Sequence, residues 1–161
     1  MRIIYDHQIF GLQEFGGISR YFFELASRIP EIGPHECRFP FPFSNNSYLG
    51  QPGRFQKPTF LRRQKWIRGR TRMLRTINRI AMMRAVSRAD FDLFHPSFFD
   101  PWFLGRLRAR PFVLTVFDMI HEIFPQYYPP GDPTAANKAL LIRKAPAIMA
   151  ISHRTKADLL R

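Results

Sequence analysis

A Rossmann-like, doubly wound α/β layer, with a mainly parallel sheet and helices on both faces, is predicted by three observations. Short, near-continuous apolar runs recur along the chain, segments with three- and four-residue apolar spacing separate them, and polar residues follow each run. The chain of 161 residues is long enough for one such layer and one core. At 45% hydrophobic and 15% aromatic residues it is globular, so disordered, collagen-like, coiled-coil and disulfide-scaffold classes are excluded.

The elements follow in order. Arg2 to Asp6 is a short β-branched run and reads as a strand, with turn residues after it. A helix is expected from Gly17, because Ile18, Tyr21, Phe22, Leu25, Ala26 and Ile29 share one face and Pro30 stops it. Glu36 to Phe43 alternates phenylalanine with Arg38, Pro40 and Pro42; proline donates nothing to a ladder, so this strand belongs at an edge. Residues 44–58 collect Asn, Ser, Gly and Pro and read as loop. Phe60 to Val86 reads as helix interrupted at Gly69, with an incomplete stripe of Trp66, Ile67, Met73, Leu74, Ile77, Ile80 and Ala81. Residues 44–88 thus form a variable loop plus a basic helical region.

Phe91 to His95, Pro111 to Phe117 and Ala147 to Ile151 have the form of parallel strands covered on both faces. A Pro-rich loop, His121 to Pro133, and a helix, Thr134 to Lys144, join the last two. Ser152 is placed to cap a final helix. The chain stops nine residues later, so the expectation is one truncated domain spanning 1–161.

Charge is concentrated. The net charge is +13, and residues 54–88 carry twelve Lys or Arg with no acid. Polyanions are the favoured partners. With aromatic residues interleaved, Arg62, Arg63, Lys65, Trp66, Arg68, Arg70, Arg72 and Arg75 suit an anionic membrane surface. A solvated helix face ranks second, and nucleic acid ranks third because no nucleic-acid-binding motif accompanies the charge. No apolar run reaches the roughly 18 residues of a membrane span, the amino terminus lacks a signal-peptide core, and Cys37 is the one cysteine. A cytoplasmic protein is expected.

In an open parallel sheet, ligands bind beyond the carboxyl ends of the strands. The residues there are polar: Asp6 and His7; His95 and Ser97; Asp118, His121 and Glu122; Ser152 and His153. Four of the five histidines fall at these ends, which favours a site over a set of unrelated caps. Gly16-Gly17 lies before a helix start, where free N–H groups receive phosphate; a plain structural turn fits it equally well. Neither GxGxxG nor GxxxxGK[ST] occurs, which disfavours an oxidoreductase half and a P-loop, and no metal-ligand spacing, HExxH or GxSxG is present.

FGGISRY at 15–21, DLFHPSFFDPWFL at 92–104, VLTVFDMIHEIFPQYY at 113–128 and AIMAISHRTKADLL at 147–160 together resemble the amino-terminal domain of family 4, GT-B-fold, retaining glycosyltransferases, in particular bacterial mannosyltransferase-like enzymes of lipopolysaccharide O-chain and other surface-polysaccharide synthesis. The resemblance implies an acceptor-side half whose donor-binding carboxyl-terminal domain is absent, a fragment inactive alone, and a peripheral position on the inner face of the cytoplasmic membrane. It implies a nucleotide-sugar donor such as GDP- or UDP-hexose, a lipid-linked or glycan acceptor, and no metal or other cofactor. By the same resemblance Gly16, Gly17 and Arg20 approach the donor phosphates. Asp118 and His121 are the catalytic candidates, and Asp6, His95, Phe117, Glu122 and Ser152 line the acceptor side. Two positions depart from the pattern: Phe117 stands where many relatives carry a sugar-contacting histidine, and Pro146 replaces an acid. The rival reading is a non-catalytic Rossmann-like module docking its basic stretch on nucleic acid or an acidic partner.

Overall fold

The computed structural model describes residues 1–61 and 68–161. Among them β1 (Arg2–Tyr5), β2 (Glu36–Arg38) and β3 (Leu93–His95) form one ladder in the order β2-β1-β3, and β4 (Val113–Val116) pairs with β5 (Ala147–Ala150). Every pairing is parallel. A parallel bridge between Phe94 and Phe112, with the Phe94 N–H donating to the Pro111 carbonyl at 3.1 Å, joins the two ladders into one layer. The helices are α1 (Gln8–Leu12), α2 (Gly17–Arg28), α3 (Arg70–Arg88), α4 (Ile120–Ile123), α5 (Thr134–Lys144) and α6 (His153–Leu159). The chain is therefore mixed α/β and Rossmann-like, as the alternating pattern predicts.

The core is aromatic. Ile3, Ile4 and Tyr5 of β1 are buried, and Tyr5 meets Phe22 of α2 and Phe39 beyond β2 at ring separations of 6.0 and 5.2 Å. On β3, Phe94 packs 4.6 Å from Phe103. Such tilted and edge-to-face pairs let the negative ring faces meet positive edges.

Several expectations are corrected. The strand at 36–43 is an edge strand, but its ladder ends at Arg38; beyond it Phe39 and Phe41 stay buried while Pro40 is half-buried and Pro42 exposed. The basic helix does not begin at Phe60. There the Asn45 side chain accepts from the Phe60 N–H at 2.9 Å and donates to its carbonyl at 3.0 Å, and these bonds take the place of helical ones. The expected interruption falls at Gly69, where α3 begins and whose φ of +80° suits glycine; residues 62–67 lie outside the described residues. Its buried seam is Leu74, Asn78, Met82 and Val86, four apart, while Met73 and Ile80 of the expected stripe are 47% and 45% exposed. Trp66 and Ile67 lie outside the described residues.

β5 is not covered on both faces. It is the last strand in the order, and Ile148 and Met149 are 39% and 41% exposed. An apolar run cannot reveal whether a strand is central or terminal. Three short turns of helix fall in stretches expected as turn or loop: α1, α4 and the 3-10 turn Pro125–Tyr127.

Candidate functional site

Parallel pairing places the carboxyl ends of all five strands along one edge of the sheet, and the polar residues after them hold that edge together. The Asp6 carboxylate is fully buried. It accepts from Gln8 Nε2 at 2.6 Å, the Ser97 N–H at 2.9 Å, the Ser97 hydroxyl and Trp102 Nε1 at 3.3 Å. These donors tie β1 to the segment after β3. His95, next along, shares a hydrogen bond of 2.8 Å between its Nε2 and Thr115 Oγ1 of β4, and its ring stands edge-on to Phe22 at 5.0 Å. Burial pushes its imidazole down to about 3, so it is neutral at physiological pH. Asp6 and His95, expected to line a cleft, are instead buried and bonded to protein partners.

The glycine turn opens outward. Gly16 caps α2 beneath the Gln13 amide, where a side-chain carbon would collide, and Gln13 Oε1 accepts from the Ser19 N–H at 3.3 Å. Arg20 N–H bonds the Gly16 carbonyl at 3.0 Å. The N–H groups of Gly17 and Ile18 have no protein acceptor among the described residues. Gly17 faces open space on a cavity of about 610 Å³ lined also by Ile18, Tyr21, Phe117, Met149 and Ile151. Phe117 is its central wall: its ring meets Tyr21 edge-on at 5.3 Å, and its carbonyl accepts from Thr155 Oγ1 of α6 at 3.0 Å. The Arg20 side chain is mostly exposed, 3.9 Å from Glu24.

The remaining candidates separate. Asp118 is half-exposed, and its Oδ1 accepts from the Ile120 N–H at 3.2 Å in the turn that leads into α4. Its carbonyl accepts from Lys138 Nζ at 3.0 Å; Lys138 is fully buried, pairs with Glu122 Oε2 at 2.9 Å and lies 5.0 Å from the Phe99 ring centre. Glu122 is thus engaged as the counter-ion of a buried lysine. His121 stacks on Tyr128 at 3.8 Å and lines a different cavity, of about 460 Å³. Ser152 caps α6 by accepting from the Thr155 N–H at 3.0 Å and borders a third cavity between β5 and α6. One edge of the sheet therefore carries Gly17 and Phe117 in one recess, His121 in another and Ser152 in a third.

Tyr21, Met149 and Ile151 were missed as cavity walls, because a helix stripe and an apolar strand read as core. Of the basic stretch, Arg68, Arg72 and Arg75 are exposed, and Arg70 donates to the Leu61 carbonyl at 3.0 Å. Arg62, Arg63, Lys65 and Trp66 lie outside the described residues. Among the described residues no helix is long and apolar enough to cross a membrane, and no cluster of three metal-ligating side chains occurs.

A family profile described as Glycosyltransferase Family 4 matches residues 15–161. Neither a curated protein nor a solved structure matches the chain.

Proposed function

The chain belongs to glycosyltransferase family 4, and from that premise we propose that it is the acceptor-side half of a GT-B enzyme transferring a hexose, mannose-like, from a nucleotide-sugar with retention of configuration. The donor is GDP- or UDP-hexose, bound mainly by a second, carboxyl-terminal domain without which this half does not turn over. The acceptor is a lipid-linked or growing glycan of surface-polysaccharide synthesis, met at the inner face of the cytoplasmic membrane. The observation that carries this reading is the free start of α2, with Gly17 on an open cavity at the strand-end edge, in a chain matched by the family over residues 15–161.

The chemistry follows from what those groups offer. As the bond from the anomeric carbon to the diphosphate breaks, negative charge grows on the leaving oxygens. The Gly17 and Ile18 N–H groups, the positive end of α2 and the exposed Arg20 are suited to receive it. Asp118, braced by its bond to Ile120 and by the Lys138 contact to its carbonyl, orients the acceptor hydroxyl. His121 is the second candidate for that role. A front-face transfer needs no enzymic nucleophile, and neither residue is given one. Phe117 cannot hydrogen-bond a sugar through its ring, so the contact at this wall is apolar.

The basic region holds the enzyme at an anionic bilayer. Met73 and Ile80, exposed on α3 among its arginines, support an interfacial helix.

Two measurements test the reading on the full-length gene product. Asp118→Ala should abolish hexose transfer while circular dichroism stays native; near-normal transfer removes Asp118 from the site. Charge reversal of Arg62, Arg63 and Arg68 to Glu should release the protein from anionic vesicles. Unchanged vesicle binding, or tighter salt-sensitive binding to DNA than to vesicles, would favour the non-catalytic docking module instead.

A further inference from the structure

A cavity of about 310 Å³ lies between α1 and α3. Its helical wall is Arg72, Arg75, Thr76 and Arg79, and spacings of three and four place these four on one face of α3. Its other wall includes His7, Gln8 and Asp100. Arg79 Nη1 pairs with Asp100 Oδ2 at 3.1 Å. Arg72 and Arg75 have no carboxylate partner among the described residues, and residues 54–88 contain no acid to supply one. Three guanidinium groups against one carboxylate leave two positive charges uncompensated.

The wall is built rather than loose. Gln8 Oε1 accepts from the Asp100 N–H at 2.8 Å while Gln8 Nε2 donates to the Asp100 carbonyl at 3.0 Å, so Asp100 is fixed relative to β1. The Arg75 stem rests 3.4 Å from where a Gly11 side chain would begin, which sets the approach of α3 to α1. His7 is only 6% exposed, and its Nδ1 has no hydrogen-bond partner, a costly state for a buried polar atom. Burial lowers the basicity of this imidazole; the nearby Asp6 opposes that, and Arg79 and Arg75 reinforce it.

We propose that this cavity binds a phosphoryl group, held by the Arg72 and Arg75 guanidinium forks and the Thr76 hydroxyl. The charge selects the class: a phosphate monoester carries close to two negative charges at neutral pH, and planar guanidinium groups match its oxygens. The size agrees, since 310 Å³ corresponds to about ten waters at liquid density, room for a phosphate and its first ester substituent. Leu12, half-exposed at the mouth, offers that substituent an apolar lip. The cavity opens at the end of β1, on the edge that also carries the glycine turn, and on the reading above its ligand is the phosphate of the acceptor.

Titration calorimetry of the full chain with inorganic phosphate, against sodium chloride at matched ionic strength, tests the site. Saturable phosphate binding is expected, weakened about tenfold by Arg72→Ala at unchanged melting temperature and by Arg75→Gln, which keeps part of the stem, with native circular dichroism, and left unchanged by Arg84→Ala on another face of α3. Binding no stronger than that of chloride, or equal weakening by Arg84→Ala, would overturn the proposal and leave only general screening. Two arms then identify the source of the phosphate. Release of the protein from phosphatidylcholine vesicles doped with phosphatidic acid, when phosphate is added, assigns a lipid headgroup; phosphate binding with no vesicle preference assigns a soluble phosphoryl ligand. Phosphate binding together with a full-length product that transfers no sugar would keep the cavity and remove the glycosyltransfer reading.

Discussion

Burying a carboxylate at the end of β1 is tolerable because Gln8, Ser97 and Trp102 all donate to Asp6. Asp6→Ala strands those donors and should cost about 3 kcal/mol or more in urea unfolding; a variant as stable as the parent would show that the donors find water instead. His95 makes the fold acid-sensitive. Unfolded, its imidazole takes a proton near pH 6.5, whereas folded it resists until about pH 3, so the unfolded chain binds more protons between those values. Its contribution is complete above pH 6.5 and declines as pH falls toward 3. His95→Gln should flatten this dependence of the urea midpoint, and an unaltered profile would assign the acid response to other groups. These residues were visible in the sequence as polar strand ends. Their burial was not, because Ser97 lies 91 residues from Asp6 and nothing local records which hydrogen bonds a distant partner satisfies.

The helices and strands were legible where local spacing decides them: α2, α5 and α6 fall close to their expected spans, and Ser152 caps α6. Spacing failed where an element is held by side-chain bonds to irregular backbone. On α3, Asn78 occupies the buried seam, its Oδ1 accepting from the Phe43 N–H at 3.3 Å and its Nδ2 donating to the Phe43 carbonyl at 2.8 Å. An apolar stripe sought at such a position omits the asparagine and admits Met73 and Ile80 in its place. Asn78→Leu keeps the volume and the helix but leaves both Phe43 groups unpaired. It should destabilise the chain by about 2 kcal/mol and speed amide exchange at Phe43. Retained protection there would show that another partner takes over.

At the scale of the molecule, one parallel layer was readable because helix patterns follow β1, β2, β4 and β5 and right-handed crossovers leave few topologies. Which recesses open along its edge was not readable, since a cavity is defined by the ends of several elements at once. The cavity at the glycine turn shows this: α2, β4 and β5 each supply wall, and of its lining the sequence marks Gly17 and Phe117 but not Tyr21, Met149 or Ile151. Phe117 gives that recess a mechanical property. Its ring leans on Tyr21 while its carbonyl is gripped by Thr155, so one residue couples the start of α2 to α6. A molecule that shoulders the ring aside pulls on that grip like a finger on a latch, and its arrival should be heard at the far helix as quickened deuterium uptake through residues 153–159.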